Sequence, residues 1–325
     1  MRGCTVTGAS FGQVTIVGLG LLGGSIGHAV QAYLPGTTVV GYDADPDVRE
    51  AARGLGLAHR IADEAGEAAI GSDLVIFCVP VGAMGAAAAA IAPGLSVEAL
   101  VSDVGSSKAT VAAALAQALP GHHVIPAHPV AGTERSGPEA GFAALFRNRW
   151  CIITPPADAD PVLLARLVAF WEALGARVET MDADHHDKVL AVTSHLPHLI
   201  AYTIVGTASD LEQVTQSEVI KYSAGGFRDF TRIAASDPTM WRDVFLTNRE
   251  AVLEMLQRFT EDLTELQKAI RKGDGAFLFD HFTRTRAIRR GIIEMGQDDA
   301  RPDFGRSDHN GDGQGSGGGE PARQR

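Results

Sequence analysis

The sequence predicts an α/β N-terminal domain built on a doubly wound parallel sheet, followed by an all-α C-terminal domain. Three observations carry this. Up to about residue 180, short apolar runs alternate with helical patterns, as in a parallel sheet covered by helices. After Asp182 strand character fades, and helical periodicity fills 184–220 and 236–296. Near the start, a β-branched run leads into Gly18-Leu19-Gly20-Leu21-Leu22-Gly23, and an amphipathic segment over 25–33 follows at once. That strand–turn–helix context marks a dinucleotide-binding, Rossmann-type domain.

Taken in order, the strand 14–17 feeds Gly18, which would make the tight turn. Gly20 would let the backbone approach a pyrophosphate, and Gly23 would let helix and strand pack closely. Leu21 and Leu22 would open the helix whose positive end faces that pyrophosphate. The second strand, 38–43, ends in Asp43, twenty residues after Gly23. A carboxylate there accepts hydrogen bonds from a free ribose 2′-OH and repels a 2′-phosphate, which favours NAD over NADP. Further strands are predicted over 74–79, 99–103, 123–127, 150–154 and 177–180, with Ala-rich helices at 81–92 and 108–119. The strands from 149 onward could also run antiparallel at one edge; periodicity does not decide it.

In the second domain, Ser236-Asp237-Pro238 reads as a cap followed by proline at the first helical position. Val252, Met255, Leu256, Phe259, Leu263, Leu266 and Ile270 then form one apolar stripe before Gly273 stops the helix. At 1.5 Å per residue this single helix would reach roughly 50 Å, longer than a small domain is wide. Such a helix packs against a partner, which predicts a homodimer through the helical domain; the alternative is a long helix lying across its own domain. An earlier helix contains Pro197, which would kink it. The predicted boundaries are a disordered 1–12, a dinucleotide domain over 13–181, a helical substrate and dimerisation domain over 182–296, and a disordered tail over 297–325. The tail has seven glycines and no aliphatic residue beyond alanine, too little apolar surface to offset its ordering entropy.

The chain's 325 residues are enough for two cores, and 45% hydrophobic with 21% charged residues is ordinary for a soluble globular protein. A net charge of −11 argues against nucleic acid or an anionic membrane as partner. A small anionic substrate needs only local cations and stays compatible. No secretory leader and no uninterrupted bilayer-length apolar run is read, so a cytoplasmic setting is expected. The three cysteines show no metal-site spacing, and Cys78 and Cys151 fall in apparent strands, where a thiol behaves as a small hydrophobe.

Ligands of an open parallel sheet bind beyond the carboxyl ends of its strands. Gly18, Asp43, Val79-Pro80, the turn 103–108 and His128-Pro129 all lie there. Val79 and Pro80 either line the cofactor or merely end a strand. Ser106 and Ser107 either cap the next helix or face the site. His128 follows an apolar strand and opens a glycine-containing loop; a neutral imidazole beside a nicotinamide accepts the proton when a hydroxyl carbon gives up hydride. If its surroundings shifted it little, activity would fall as pH drops through about 6.5. His195 and His198, three apart on one helix face, lack a third ligand at helical spacing, so no metal is predicted. Gly225, Arg228, Arg232 and Trp241 belong to a glycine- and arginine-containing segment ending at a helix start. It is either a carboxylate clamp or surface charge paired with Asp229 and Asp243.

The loop His128-Pro129-Val130-Ala131-Gly132-Thr133-Glu134-Arg135-Ser136-Gly137 resembles the active-site loop of the prephenate dehydrogenases, a family that includes arogenate and cyclohexadienyl dehydrogenases. Ser194-His195-Leu196-Pro197-His198 and the stretch from Gly225 to Trp241 resemble two further signatures of that family in the same order. The similarity spans about residues 13–296. It implies NAD-dependent oxidative decarboxylation of prephenate to 4-hydroxyphenylpyruvate in tyrosine biosynthesis, or alternatively of arogenate to tyrosine or of both substrates, as in a dual-specificity cyclohexadienyl dehydrogenase. It implies that His128 takes the hydroxyl proton, that Ser106 orients the hydroxyl and His128, and that His198 and His195 belong to the pocket. Arg232 would pair with a substrate carboxylate, Glu134 would join a polar network near the loop, and Trp241 would shape the pocket near the dimer interface. Gly225 and Arg228 would belong to the clamp; family members often carry lysine where this chain has Arg228.

Overall fold

A computed structural model describes residues 11–133, 135–215 and 225–294 of the chain. Glu134 and the tail 297–325, both singled out in the sequence, lie outside the described residues, as do residues 1–10. The chain divides at Thr260/Glu261 into two compact units.

The first unit contains a six-stranded parallel sheet made of β1 (Gln13–Val17), β2 (Thr38–Tyr42), β3 (Arg60–Ile61), β4 (Leu74–Phe77), β5 (Leu100–Asp103) and β6 (His123–Val124). Its order is β3-β2-β1-β4-β5-β6. The order reverses between β1 and β4, and that switch point opens a crevice beyond their carboxyl ends. Val14, Ile16, Val17 and all of β4 are buried, as expected of strands covered on both faces. The one polar side chain inside β1, Thr15, is satisfied by donating to the Ala68 carbonyl at 2.9 Å. Helices α1 (Leu21–Tyr33), α2 (Pro46–Leu55), α3 (Ala65–Ala69), α4 (Met84–Ile91) and α5 (Ala109–Ala118) make the crossovers.

The predicted strand 123–127 is two strands in two sheets. Pro126 has no N–H to continue the ladder, and past it β7 (Ala127–Pro129) leaves the first sheet. β7 pairs antiparallel with β8 (Trp150–Ile153), which pairs parallel with β9 (Arg177–Thr180). The late strands therefore form a separate three-stranded sheet, with α6 (Pro161–Ala173) between β8 and β9. Phe11 is buried edge-on against Phe170 and under the Arg166 guanidinium, so ordered packing starts within the stretch expected to be disordered.

In the helical part, α7 (Ala183–Leu190) is capped by Asp182 and runs through a π turn (Ala191–His195) into α8 (Leu196–Thr215). The predicted kink is this π turn, placed just before Pro197, whose ring and missing N–H disrupt the regular ladder. Together these make a helical run, Ala183–Asp210, long and apolar enough by composition to cross a membrane, which the sequence reading did not anticipate. Asp187 and His195 within it hydrogen-bond to other elements of the same unit, which marks a helix built into the fold. After α9 (Gly225–Thr231), the single long helix expected from 236 is broken into α10 (Pro238–Thr247) and α11 (Arg249–Lys272). Asp237 caps α10 as predicted, accepting from the Met240 N–H at 2.8 Å, but Asn248 ends it with φ −108° and ψ 33°. Helix α11 is thus roughly 36 Å long. Gly273, with φ +67°, ends it in the left-handed conformation that favours glycine. Helix α12 (Gly275–Glu294) exposes Phe277, Phe279, Phe282 and Ile288.

Candidate active site

At the crevice the three glycines divide their work. Gly18 turns with φ +99° and donates to the Tyr42 carbonyl at 2.8 Å; a Cβ there would lie 2.8 Å from the Cys78 carbonyl. A Cβ at Gly23 would collide with the Gly18 carbonyl oxygen, so this glycine permits the close approach of helix and strand. Gly20 is different. It caps α1, no side chain satisfies the helix start, and the space where its Cβ would stand is open. The first-turn N–H groups beginning at Leu21 and Leu22 are therefore available to an anion. Val79 packs against the Gly18 turn, while Pro80 is exposed beyond it. Asp43 stands past the end of β2, where Oδ2 accepts from the Leu19 N–H at 2.8 Å and Oδ1 from the Asp45 N–H at 3.0 Å. It braces the glycine turn as well as presenting a carboxylate. An open glycine, an uncapped helix start and an acid at the second strand's end together fit a dinucleotide.

Across the crevice, β7 places His128, buried to 8% exposure, in a chain of hydrogen bonds. Its Nδ1 lies 2.9 Å from His186 Nε2, and His186 Nδ1 lies 2.8 Å from Asp187 Oδ1. The protons follow from the acceptor at the end. An ionised carboxylate can only accept, so His186 carries its proton on Nδ1 and presents a lone pair at Nε2. His128 must then donate from Nδ1, which leaves its own Nε2 as a base. Burial, and after it the fields of His186, Lys108 and His195, hold His128 well below the ordinary imidazole range. Burial alone would raise Asp187, but hydrogen bonds from His186 and from the Ala109 and Lys108 backbone hold it below the usual carboxylate value.

Asp187 also settles the two serines. Its oxygens accept from the Lys108 N–H at 2.7 Å and the Ala109 N–H at 3.0 Å, so a residue of α7 caps α5. Neither Ser106 nor Ser107 does. Ser107 instead bonds the Thr247 hydroxyl at 2.8 Å, and Ser106 is left half-buried on the turn. The turn itself is clamped from below. Lys108 and Asp103, both fully buried, form an ion pair; Lys108 Nζ also donates to the Ala127 carbonyl at 2.8 Å, and Asp103 accepts from the Gly105 N–H at 2.7 Å. This fixes the Ser106 turn against the residue that precedes His128.

The second histidine cluster lies on the π turn and α8. His195 is fully buried and pushed down to about 4, chiefly by burial; its Nδ1 accepts from the Asn248 amide at 3.0 Å. His198 stacks on Trp241 with centroids 3.7 Å apart, and its Nδ1 donates to the Ser194 carbonyl at 2.8 Å. Trp241 and Val244 belong to the same buried apolar cluster as Val81, Met84 and Phe77, which joins α10 to the core beside β4. Burial lowers His198, and the positive charge of Arg232 lowers it further, which places Arg232 near this cluster. Gly225 and Arg228 lie exposed on α9, and no such link ties Arg228 to the histidines. Asp243, considered as a partner for the clamp arginines, pairs with Arg242 at 2.7 Å.

Sequence reasoning named neither His186, Asp187 nor Asn248, and gave Asp103 and Lys108 no role. The one available signal was His185-His186-Asp187 just after the helix cap at Asp182.

Two family models match the chain: "Prephenate dehydrogenase, nucleotide-binding domain" over residues 26–180 and "Prephenate dehydrogenase, dimerization domain" over 182–284. The first match begins past the glycine turn, so that turn rests on its own geometry. A cyclohexadienyl dehydrogenase of Zymomonas mobilis is 45% identical over 279 residues, covering 86% of this chain and 95% of that protein. A prephenate dehydrogenase of Bacillus subtilis is 32% identical over 281 residues, covering 86% and 76%. Among solved structures, the prephenate dehydrogenase of Aquifex aeolicus in complex with hydroxyphenyl propionate and NAD+ superposes with a TM-score of 0.82 at 33% identity, covering 87% of this chain and 99% of that one.

Proposed function

The chain belongs to the prephenate dehydrogenase family, and from that premise we propose that it catalyses the NAD-dependent oxidative decarboxylation of prephenate to 4-hydroxyphenylpyruvate. The observation that supports this best is His128, held as a neutral imidazole at the end of a hydrogen-bonded chain to Asp187, with Nε2 left as the base and the field of His195 acting on it. Bound NAD supplies the hydride acceptor. His128 Nε2 accepts the ring hydroxyl's proton as the hydride leaves the same carbon, and a carbonyl forms there. The ring carboxylate departs as carbon dioxide, its electron pair passes through the ring to that oxygen, and the phenolate recovers the proton from His128. Aromatisation drives the sequence. Ser106, on its clamped turn, orients the hydroxyl, and Arg232 grips a substrate carboxylate through parallel N–H donors.

A second reading, dual use of prephenate and arogenate, is favoured by the 45% identity to a cyclohexadienyl dehydrogenase. The two substrates differ in a side-chain keto against an amino group, so a few contacts decide. A homodimer belongs to the same proposal: residues 182–284 match a dimerisation-domain model, and Leu263, Ile270, Phe277 and Phe279 are exposed on α11 and α12. Sedimentation at micromolar concentration should show a dimer; a monomer would reject that part. Cofactor absorbance with prephenate and with arogenate, each with NAD and NADP, tests the activity. NADH formation from prephenate and little reaction with NADP are expected, and comparable rates on arogenate would select the dual reading. NAD binding without turnover of either substrate would overturn the proposal.

A further inference from the structure

We propose that Asn248, at the break between α10 and α11, is a positioning residue that fixes His195 as an Nε2–H donor toward an acceptor oxygen of the bound substrate. The site would then present one imidazole as acceptor, His128, and one as donor. This rests on the functional reading above for the identity of the substrate, but not for the state of the ring.

The argument starts from the Asn248 amide, which is 5% exposed. Its Nδ2 donates to the Asp187 backbone carbonyl at 2.8 Å and reaches His195 Nδ1 at 3.0 Å. The carbonyl determines which way the amide faces, because turning it over would set two oxygens against each other. With a donor opposite it, His195 Nδ1 must be the lone pair. The ring is buried and neutral at ordinary pH, so its single proton sits on Nε2. The Ser106 carbonyl favours a proton on this ring, yet among the described residues no hydrogen bond of good geometry satisfies Nε2. The Trp241 Nε1 donor is likewise buried and without a partner among the described residues, on a ring edge-on to His195 at 6.0 Å. Buried donors are normally satisfied, and two such groups beside an arginine-flanked cluster call for an oxygen acceptor from a ligand. Asn248 ends α10 with a non-helical backbone, just ahead of the apolar stripe that begins at Val252, and its polar side chain is buried there.

The test reads the ring directly. In full-length protein with 15N-labelled histidine rings, two-bond 1H–15N spectra report each tautomer, and His195→Gln assigns the His195 signals. Wild type should show His195 as the neutral Nε2–H form near neutral pH. Asn248→Asp supplies an acceptor in place of the donor and should move the proton to Nδ1. It should also lower kcat/KM for prephenate by about 10- to 100-fold, the usual cost of leaving a buried hydrogen-bonding group without its partner, with NAD affinity unchanged. A second comparison avoids any folding defect in that variant. The amide of His195→Gln reaches the place of Nε2 and that of His195→Asn the place of Nδ1, so the Gln variant should keep the higher kcat/KM. An Nδ1–H His195 in wild type, an unmoved proton in folded Asn248→Asp, or equal activity of the Gln and Asn variants would overturn the proposal. A protein inactive on prephenate that still shows the Nε2–H ring would sink the functional reading while leaving the tautomer assignment standing.

Discussion

Burial is the first cause of the low proton affinity of His128, and the fields of His186, Lys108 and His195 add to it. The consequence has one sign: the neutral, proton-accepting form survives to lower pH. We therefore expect kcat/KM to hold as pH falls past about 6.5 and to drop only below it, a revision of the expectation for an unshifted imidazole. His128→Asn should reduce turnover by roughly 10²–10⁴-fold with far less effect on substrate affinity. Stopped-time assays across the pH range check both, and near-normal turnover in the variant would place the base elsewhere. Arg232 is the better candidate for the carboxylate because its charge acts on His198. Arg232→Gln should raise KM for prephenate about 30- to 1000-fold, and Arg232→Lys should recover only part of that, since lysine lacks the planar fork. Unchanged KM in Arg232→Gln would move the assignment to Arg228. His128 was readable in the sequence because a strand end and a glycine loop mark the rim. His186 was not, since its partner lies 58 positions away and no local pattern announces such a bond.

Between residue and molecule, the elements that position the site are the ones with interruptions. Pro126 moves the chain from the first sheet to the second, so His128 sits on a strand outside the cofactor-binding sheet. The π turn before Pro197 turns His195 inward, and Asn248 divides what periodicity reads as one helix. Strong periodic segments such as β1 and β4 were legible because burial selects their pattern, and α11 because its apolar residues recur at helical spacing. The two-residue β3 and the split at Pro126 were not, because a short apolar run looks the same in one sheet or two. The buried Asp103–Lys108 pair joins the Ser106 turn to β7, which makes it a structural test of this scale. Lys108→Met would leave a buried carboxylate without its partner and should cost about 3–5 kcal/mol of stability. Urea unfolding of the variant measures it; a change within about 0.5 kcal/mol, the usual size for an exposed site, would mean the clamp contributes nothing.

For the whole molecule, the histidines make folding itself pH-dependent. His128, His186, His195 and His198 all lie below the ordinary imidazole value, with burial the first cause in each. In the unfolded chain each takes up a proton near pH 6.5. Below that pH the unfolded state binds more protons than the native one, so stability is fully present above about 6.5 and is lost as pH falls toward the folded-state values. His195, at about 4, should forfeit on the order of 2 kcal/mol by pH 5, and His128, lowered by burial as well, shifts stability in the same direction. Asp187 acts in a separate window. Its folded value is depressed, so its contribution is complete above the ordinary carboxylate value of about 3.9 and fades only below it. Loss of stability between neutral pH and pH 5 is therefore a histidine effect. Urea unfolding at both pH values should show a fall of about 2 kcal/mol or more in the wild type. In His195→Gln, which has nothing to protonate at that position, the fall should shrink by about 2 kcal/mol. Protein concentration must be held constant, because association also shifts apparent stability. Equal stability at the two pH values would mean that these rings are solvated in the native state, and the tautomer chain ending at His128 would lose its basis.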